Sequence, residues 1–202
     1  MANHETRIQL CGKLVARIDG RRVDANLPGR QGRLAFAYLA LNRHRVVTRS
    51  ALVDAIWPVE PPALVDTAVS ALISKLRKAL GSDAVSGRGD VRLVLSDAWV
   101  DVEAAAEAIH RAEGAVARLA WAEVWGPGRV ALHIARREFL PGESADWVED
   151  QGACSRRSSY VRSNASPGRA SSSGRTSASR PSARGETSSG WHRIVRAGIA
   201  SS

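Results

Sequence analysis

The chain has 202 residues and carries 29 Lys and Arg against 20 Asp and Glu, a net charge of +9. That length suits one or two domains, and its cysteines, Cys11 and Cys154, are too few for a disulfide framework. No apolar run approaches a transmembrane helix and the opening MANHETRIQL lacks a signal-peptide core, so a cytoplasmic setting without a membrane partner is expected, on the nucleoid if the chain binds DNA.

Short strands come first: Ile8-Gln9-Leu10, Leu14 to Ile18, and Arg22 to Asp24, with Cys11 read as a small buried hydrophobe. Gly12 and Asp19-Gly20 mark turns, the second a strong hairpin signal. Pro28-Gly29 closes this unit, and Leu34, Ala37, Tyr38 and Leu41 then recur at helical spacing as far as Asn42. The stretch VVTRSALVDAIWPVEPPALVDTAVSALISKLRKALG, residues 46–81, reads as two more helices. Thr48 is a good N-cap, Leu52, Ala55 and Ile56 follow it, and Trp57-Pro58 stops the run. Beyond Glu60-Pro61-Pro62, the residues Val65, Val69, Leu72, Ile73, Leu76 and Leu80 share one face, and Gly81 suits the end.

The opposite face of this last helix holds Thr67, Ser70, Ser74, Lys75 and Lys78, with Arg77 beside it. Short polar groups at base edges and long cations at phosphates suit a helix in a major groove. The same face also suits plain solvation, its cations complementing the helix dipole. AVSGRGDVRLVL, residues 84–95, places Gly87 and Gly89 between apolar runs and reads as a hairpin exposing Arg88 and Arg92. Strands, three helices and a hairpin, in that order, make a winged helix-turn-helix. Charge agrees: residues 1–98 hold 15 Lys and Arg against 9 Asp and Glu, whereas residues 99–150 hold 5 against 10. A basic first domain is the footprint of a phosphate binder.

IQLCGKL, GRLAFAYLALNR, VVTRSALVDAIWP, the Pro pair and SALISKLRKALG together resemble the OmpR/PhoB-type winged-helix DNA-binding domain, in the version carried by SARP-type regulators. The resemblance covers residues 7–98. It implies a sheet backing three helices, a third helix in the major groove of double-stranded DNA, and a wing on the backbone or minor groove. It also implies binding to promoter direct repeats, contact with RNA polymerase and a homodimer on DNA. On this resemblance Thr67, Ser70, Ser74 and Lys75 face bases, Thr48, Arg49, Arg77 and Lys78 hold phosphates, and Arg88 and Arg92 lie on the wing. Two departures stand out: Asp90-Val91-Arg92-Leu93 replaces the usual Gly-Tyr-Arg-Leu, and Cys11 replaces a common aromatic.

Residues 99–151 resemble the start of the bacterial transcriptional activator domain, a tetratricopeptide-like array used for dimerisation and regulation. Asp101 is expected to cap a helix with Val102, Ala106, Ile109, Ala112, Val116 and Leu119 on one face. RVALHIARREFLPGESADWVED gives a second helix through Val130 and Ile134, a stop at Phe139-Leu140-Pro141-Gly142 and a third helix near Trp147. Helical hairpins bury their apolar faces against neighbours. In a truncated array Val116, Leu119, Val130, Ile134 and Trp147 are therefore expected to be partly uncovered, with weak hydrogen-exchange protection.

Residues 151–202 hold 15 Ser and 9 Arg with almost no apolar periodicity, so 152–202 is expected to be a disordered tail. Its composition is also that of GC-rich DNA read out of frame. With permitted codons, Trp191 to Ser202 yields APYRESGYRLLM in a shifted frame, and the stretch after Gln151 yields a helical sequence in that same frame. Both resemble later parts of the activator domain, so the tail reads as frameshifted.

The expected fold is mainly α with small antiparallel β: a winged helix-turn-helix over 1–98, partial helical hairpins over 99–151 and the tail. The expected function is sequence-specific transcriptional regulation, impaired in activation by truncation. No enzyme is expected: His4, His44, His110, His133 and His192 have no metal-ligand spacing, and no residue pattern points to catalysis or a cofactor. The residues leave open a protein-protein interaction module or a non-functional remnant of such a regulator.

Overall fold

The structure, a computed structural model, describes residues 6–95 and 97–152. The first strand, β1 (Arg7–Gln9), pairs antiparallel with β2 (Val15–Ile18), Ile8 lying opposite Ala16, and β2 pairs with β3 (Arg21–Arg22). Asp19 and Gly20 both take positive φ, 48° and 76°, as a tight hairpin turn requires. The expected strand at Arg22–Asp24 is shorter. Asp24 instead opens a 3-10 turn, because its carboxylate accepts from Arg22 at 2.9 and 3.1 Å and from the Ala16 amide at 3.4 Å.

Helix α1 (Gly29–Leu41) buries Leu34, Ala35, Phe36, Ala37, Leu39 and Ala40 at the centre of the core and ends at Asn42. Helix α2 (Arg49–Ile56) starts at Thr48, whose hydroxyl accepts from the Ala51 amide at 3.3 Å, and buries Leu52, Ala55 and Ile56. Helix α3 (Val65–Leu80) buries Val69, Leu72, Ile73, Leu76 and Leu80; Gly81 leaves it at φ +111°. The hairpin follows as β4 (Val85–Ser86) and β5 (Arg92–Leu93), with Val85 opposite Leu93. Arg88 and Arg92 are exposed on it.

A further strand, β6 (Trp99–Val100), lies parallel beside β1 and extends the sheet to the order β3-β2-β1-β6. Its two residues carry no alternation to read. It delivers the chain to α4 (Asp101–Ala117), which forms a hairpin with α5 (Trp121–Ala135). Ala105, Ala108, Ala112 and Ala115 are the buried small residues of α4, and Ala131 and Ile134 are those buried on α5. The second helix thus starts earlier than expected, with Pro127 inside it. That proline, the seventh of fifteen residues, removes a ladder bond in mid-helix and crowds the preceding turn, a loss that packing against α4 can offset.

Asp101 is not the expected cap: it is the first residue of α4, behind Val100, and no side-chain cap bond forms there. Its side chain is fully buried and accepts from the amides of Leu10 at 3.0 Å and Cys11 at 2.9 Å, tying α4 to the end of β1. Burial pushes the Cys11 thiol up to about 12, helped by the neighbouring Asp101 charge, so the thiol stays protonated at neutral pH.

The segment after α5 returns to the first half of the chain. Phe139 bridges Cys11, Leu140 donates to the Leu10 carbonyl at 2.9 Å, and Glu143 pairs with Arg30 and Arg33. Residues 146–152 are helical, the third helix expected near Trp147. One hydrophobic core therefore includes Ile134, Phe139, Leu140, Ala145 and Val148 together with Ile8, Leu34, Phe36 and Leu52.

This corrects part of the expected exposure. Val116, Leu119 and Val130 are exposed, as are Trp121 and Trp125, but Ile134 is buried. Trp147 is half-buried, edge-on to Tyr38 and Phe139, and its indole donates to the Ala55 carbonyl at 2.9 Å. The winged helix itself supplies the neighbour against which Ile134 and Trp147 pack. The tail read as disordered and frameshifted lies, beyond Gly152, outside the described residues.

Candidate nucleic-acid interface

The apolar stripe of α3 fixes which side of that helix meets solvent. With Val69, Leu72, Ile73, Leu76 and Leu80 buried, Thr67, Ser70, Ser74, Lys75 and Lys78 are all exposed. Thr67, Ser70, Ser74 and Lys78 follow one another at helical spacing along one line, and Lys75 is set to its side. Among the described residues, no ion pair engages Lys75 or Lys78, so both cations are available to a polyanion. The late position of Lys78 on α3 also suits the negative end of its dipole.

The start of α2 converges on the same surface. Arg49 is half-buried and works as a hub. Its Nε donates to the Asp66 carboxylate at 3.0 Å, one terminal nitrogen to the Ser70 hydroxyl at 2.6 Å, and the other to the Arg88 carbonyl at 3.4 Å. Three elements, α2, α3 and the hairpin tip, thus meet at one guanidinium. The Asp66 side chain is 92% exposed, so this pair contributes little to stability. Thr48, exposed beside it, uses its hydroxyl as the helix cap.

The hairpin is held from both sides. Val47 and Val91 exchange two backbone bonds of 2.8 Å, which seat the strand end against the entry to α2. Arg77, half-buried on α3, donates through Nε to the Val85 carbonyl at 3.0 Å and through a terminal nitrogen to the Gly87 carbonyl. The hairpin turn is tight: Gly87 has φ +90°, and a Cβ there would sit 1.9 Å from the Asp90 carbonyl oxygen. Arg92 donates to the Arg43 carbonyl at 3.3 Å.

The residues singled out from sequence fall into two groups. Thr67, Ser74, Lys75, Lys78 and Arg88 are exposed, and among the described residues their side chains make no hydrogen bond or ion pair. Arg49, Ser70, Arg77 and Arg92 bond to neighbouring elements, and Thr48 caps its own helix. Sequence reading missed exposed Arg45, which bonds Asn42 at 2.9 Å and lies two residues before the hairpin contact at Val47. Its signal was only another cation before the Thr48 cap. No group of three or more His, Cys, Asp or Glu suited to a metal occurs among the described residues. No described helix is long and apolar enough to cross a membrane.

Residues 25–89 match the family described as transcriptional regulatory protein, C terminal. The chain is 36% identical over 89 residues to the transcriptional regulatory protein EmbR of Mycobacterium bovis and of Mycobacterium tuberculosis. That match covers 44% of this chain and spans 21% of the relatives' length. The solved structure of Mycobacterium tuberculosis EmbR in complex with a low-affinity phosphopeptide aligns with a TM-score of 0.68 at 23% identity. It covers 78% of this chain and 43% of that one, so the shared fold runs past the hairpin into the helical segment.

Proposed function

We propose that this chain, which carries an OmpR/PhoB-type winged-helix domain and is homologous over it to the EmbR regulators, is a sequence-specific DNA-binding transcriptional regulator. The single observation that carries this reading is α3, buried along one stripe and presenting Thr67, Ser70, Ser74, Lys75 and Lys78 on the other. Hydroxyls and one lysine at base edges supply sequence preference; Lys78 and the wing cation Arg88 supply phosphate attraction. Thr48, Arg49 and Arg92 complete the phosphate-facing surface, Arg49 by exchanging Asp66 for phosphate, while Arg77 is bonded to the wing carbonyls. The expected partner is duplex DNA carrying direct repeats, with RNA polymerase and a second copy of the chain as protein partners.

Residues 99–152 hold the winged helix in place and end in an apolar tip at Leu119, Trp121 and Trp125, which favours a protein-binding role for that tip.

Salt dependence and two kinds of substitution test this reading. Binding of the full chain to duplex DNA should weaken with salt, log K falling by about 0.9 per neutralised phosphate for each unit of log salt. Lys78→Ala should weaken binding to all sequences alike. Ser74→Ala or Lys75→Ala should relax preference at one base position, by about 1–3 kcal/mol. Equal losses on every sequence from all three variants would mean that α3 does not read bases through this face.

A further inference from the structure

The wing is too small to hold its own position. Its ladder has two residue pairs, Val85 with Leu93 and Ser86 with Arg92. A two-stranded hairpin of this kind is marginal by itself in water. Its base is fixed by the Val47–Val91 bonds and by the Val94 amide on the Ala84 carbonyl at 2.8 Å. Nearer the tip, tethering comes from side chains on other elements: Arg77 on the carbonyls of Val85 and Gly87, and Arg49 on that of Arg88. A guanidinium suits this task. Its planar fork reaches two carbonyls at once, which a lysine ammonium does not reproduce in the same fixed geometry.

We infer that Arg77 is a positioning residue for DNA binding: it bolts the wing to the recognition helix, so that Arg88 meets the duplex at a set place relative to Ser74 and Lys78. The inference rests on the DNA-binding reading above and deepens it. Arg77 then acts through the wing and contributes no phosphate contact of its own.

The two roles separate by experiment. Full-length wild type, Arg77→Lys, Arg88→Ala and the double variant are titrated with mixed-sequence duplex DNA across a range of salt. A positioning Arg77 predicts that Arg77→Lys, although it keeps the charge, loses the wing contact. Its slope of log K against log salt should become shallower by about 0.9, matching Arg88→Ala, and the double variant should be no worse than Arg88→Ala alone. If Arg77 holds a phosphate directly, Arg77→Lys keeps the wild-type slope, and that result overturns the proposal. An additive loss in the double variant overturns it too.

Should Arg77→Lys lower the unfolding midpoint, Gly87→Ala carries the test, because it distorts the turn while leaving Arg77 in place. A wild-type slope for Gly87→Ala would again contradict the proposal, and a slope matching Arg88→Ala would support it. Undetectable binding by the wild type itself would overturn the DNA-binding reading, and this inference with it. Wild-type binding with an unchanged Arg77→Lys slope overturns the inference alone.

Discussion

Asp101→Ala should cost about 3–5 kcal/mol of folding stability, the range for breaking a buried charged interaction by removing one partner. The carboxylate is fully buried, and it is the acceptor for the Leu10 and Cys11 amides. Alanine leaves both N–H groups without an acceptor in a dry environment, at about 1–3 kcal/mol each. It also removes the negative charge beside Arg137, whose Nε is buried with no hydrogen-bond partner among the described residues.

Burial is the largest influence on the Asp101 carboxyl and raises it above its usual range; the Leu10 and Cys11 amides and Arg137 only partly oppose this. A carboxyl raised by folding makes the native state hold more protons than the unfolded one. Its contribution therefore becomes more favourable as pH falls through the raised value, and less so as pH rises from 3.8 through it. Asp101→Asn keeps one oxygen acceptor, so it should cost less than alanine and should flatten this part of the pH profile. Urea unfolding midpoints of the wild type and both variants across acid pH check magnitude and sign together. An alanine variant within 1 kcal/mol of wild type, taking ~1 kcal/mol as the net worth of one ordinary hydrogen bond, would show that the tie at Asp101 is dispensable.

The second large effect concerns where the chain can be cut. A fragment ending at residue 98 looks complete from sequence, with every winged-helix element present except β6. In the structure it loses β6, the Asp101 tie and the buried side chains of Phe139, Leu140 and Val148, with half-buried Trp147. Each large apolar group is worth about 1.5–3 kcal/mol when fully buried. Their sum is comparable with the whole stability of a small domain, about 5–15 kcal/mol. The fragment also loses Glu143, whose side chain is only 7% exposed and pairs with Arg30 and Arg33. The 1–98 fragment should thus be largely unfolded or aggregated, while a fragment through residue 152 folds. Circular dichroism and amide exchange on the two fragments decide it; equal cooperative unfolding of both would show that the return segment is only draped on the surface. Within the longer fragment, protection should be strong around Ile134 and Trp147 and weak at the exposed tip around Leu119 and Trp121.

The contrast shows what kind of information the sequence carries. Helix α3 was legible because its burial repeats locally: Val69, Leu72, Ile73, Leu76 and Leu80 return at helical spacing, and the same periodicity exposes Thr67, Ser74 and Lys78. Thr48 was legible because a cap acts three residues away. Asp101 and Trp147 act on partners about ninety residues distant in sequence, Leu10 and Ala55, and no local pattern marks such a contact. For the same reason Arg49, Ser70 and Arg77 looked like free surface groups, although they bind elements packed beside them. A guanidinium holding a carbonyl and one awaiting a phosphate have the same letter and the same spacing.

The central claim, that the exposed face of α3 reads duplex DNA, is tested most directly by selecting binders from a randomised duplex pool with the full-length chain, in parallel with a Ser74→Ala, Lys75→Ala double variant. The account predicts that the wild type enriches a common motif, recurring as direct repeats, and that the double variant recovers a motif relaxed at the positions those side chains read. A wild type that enriches nothing over the starting pool, or a double variant that recovers the identical motif, would contradict it.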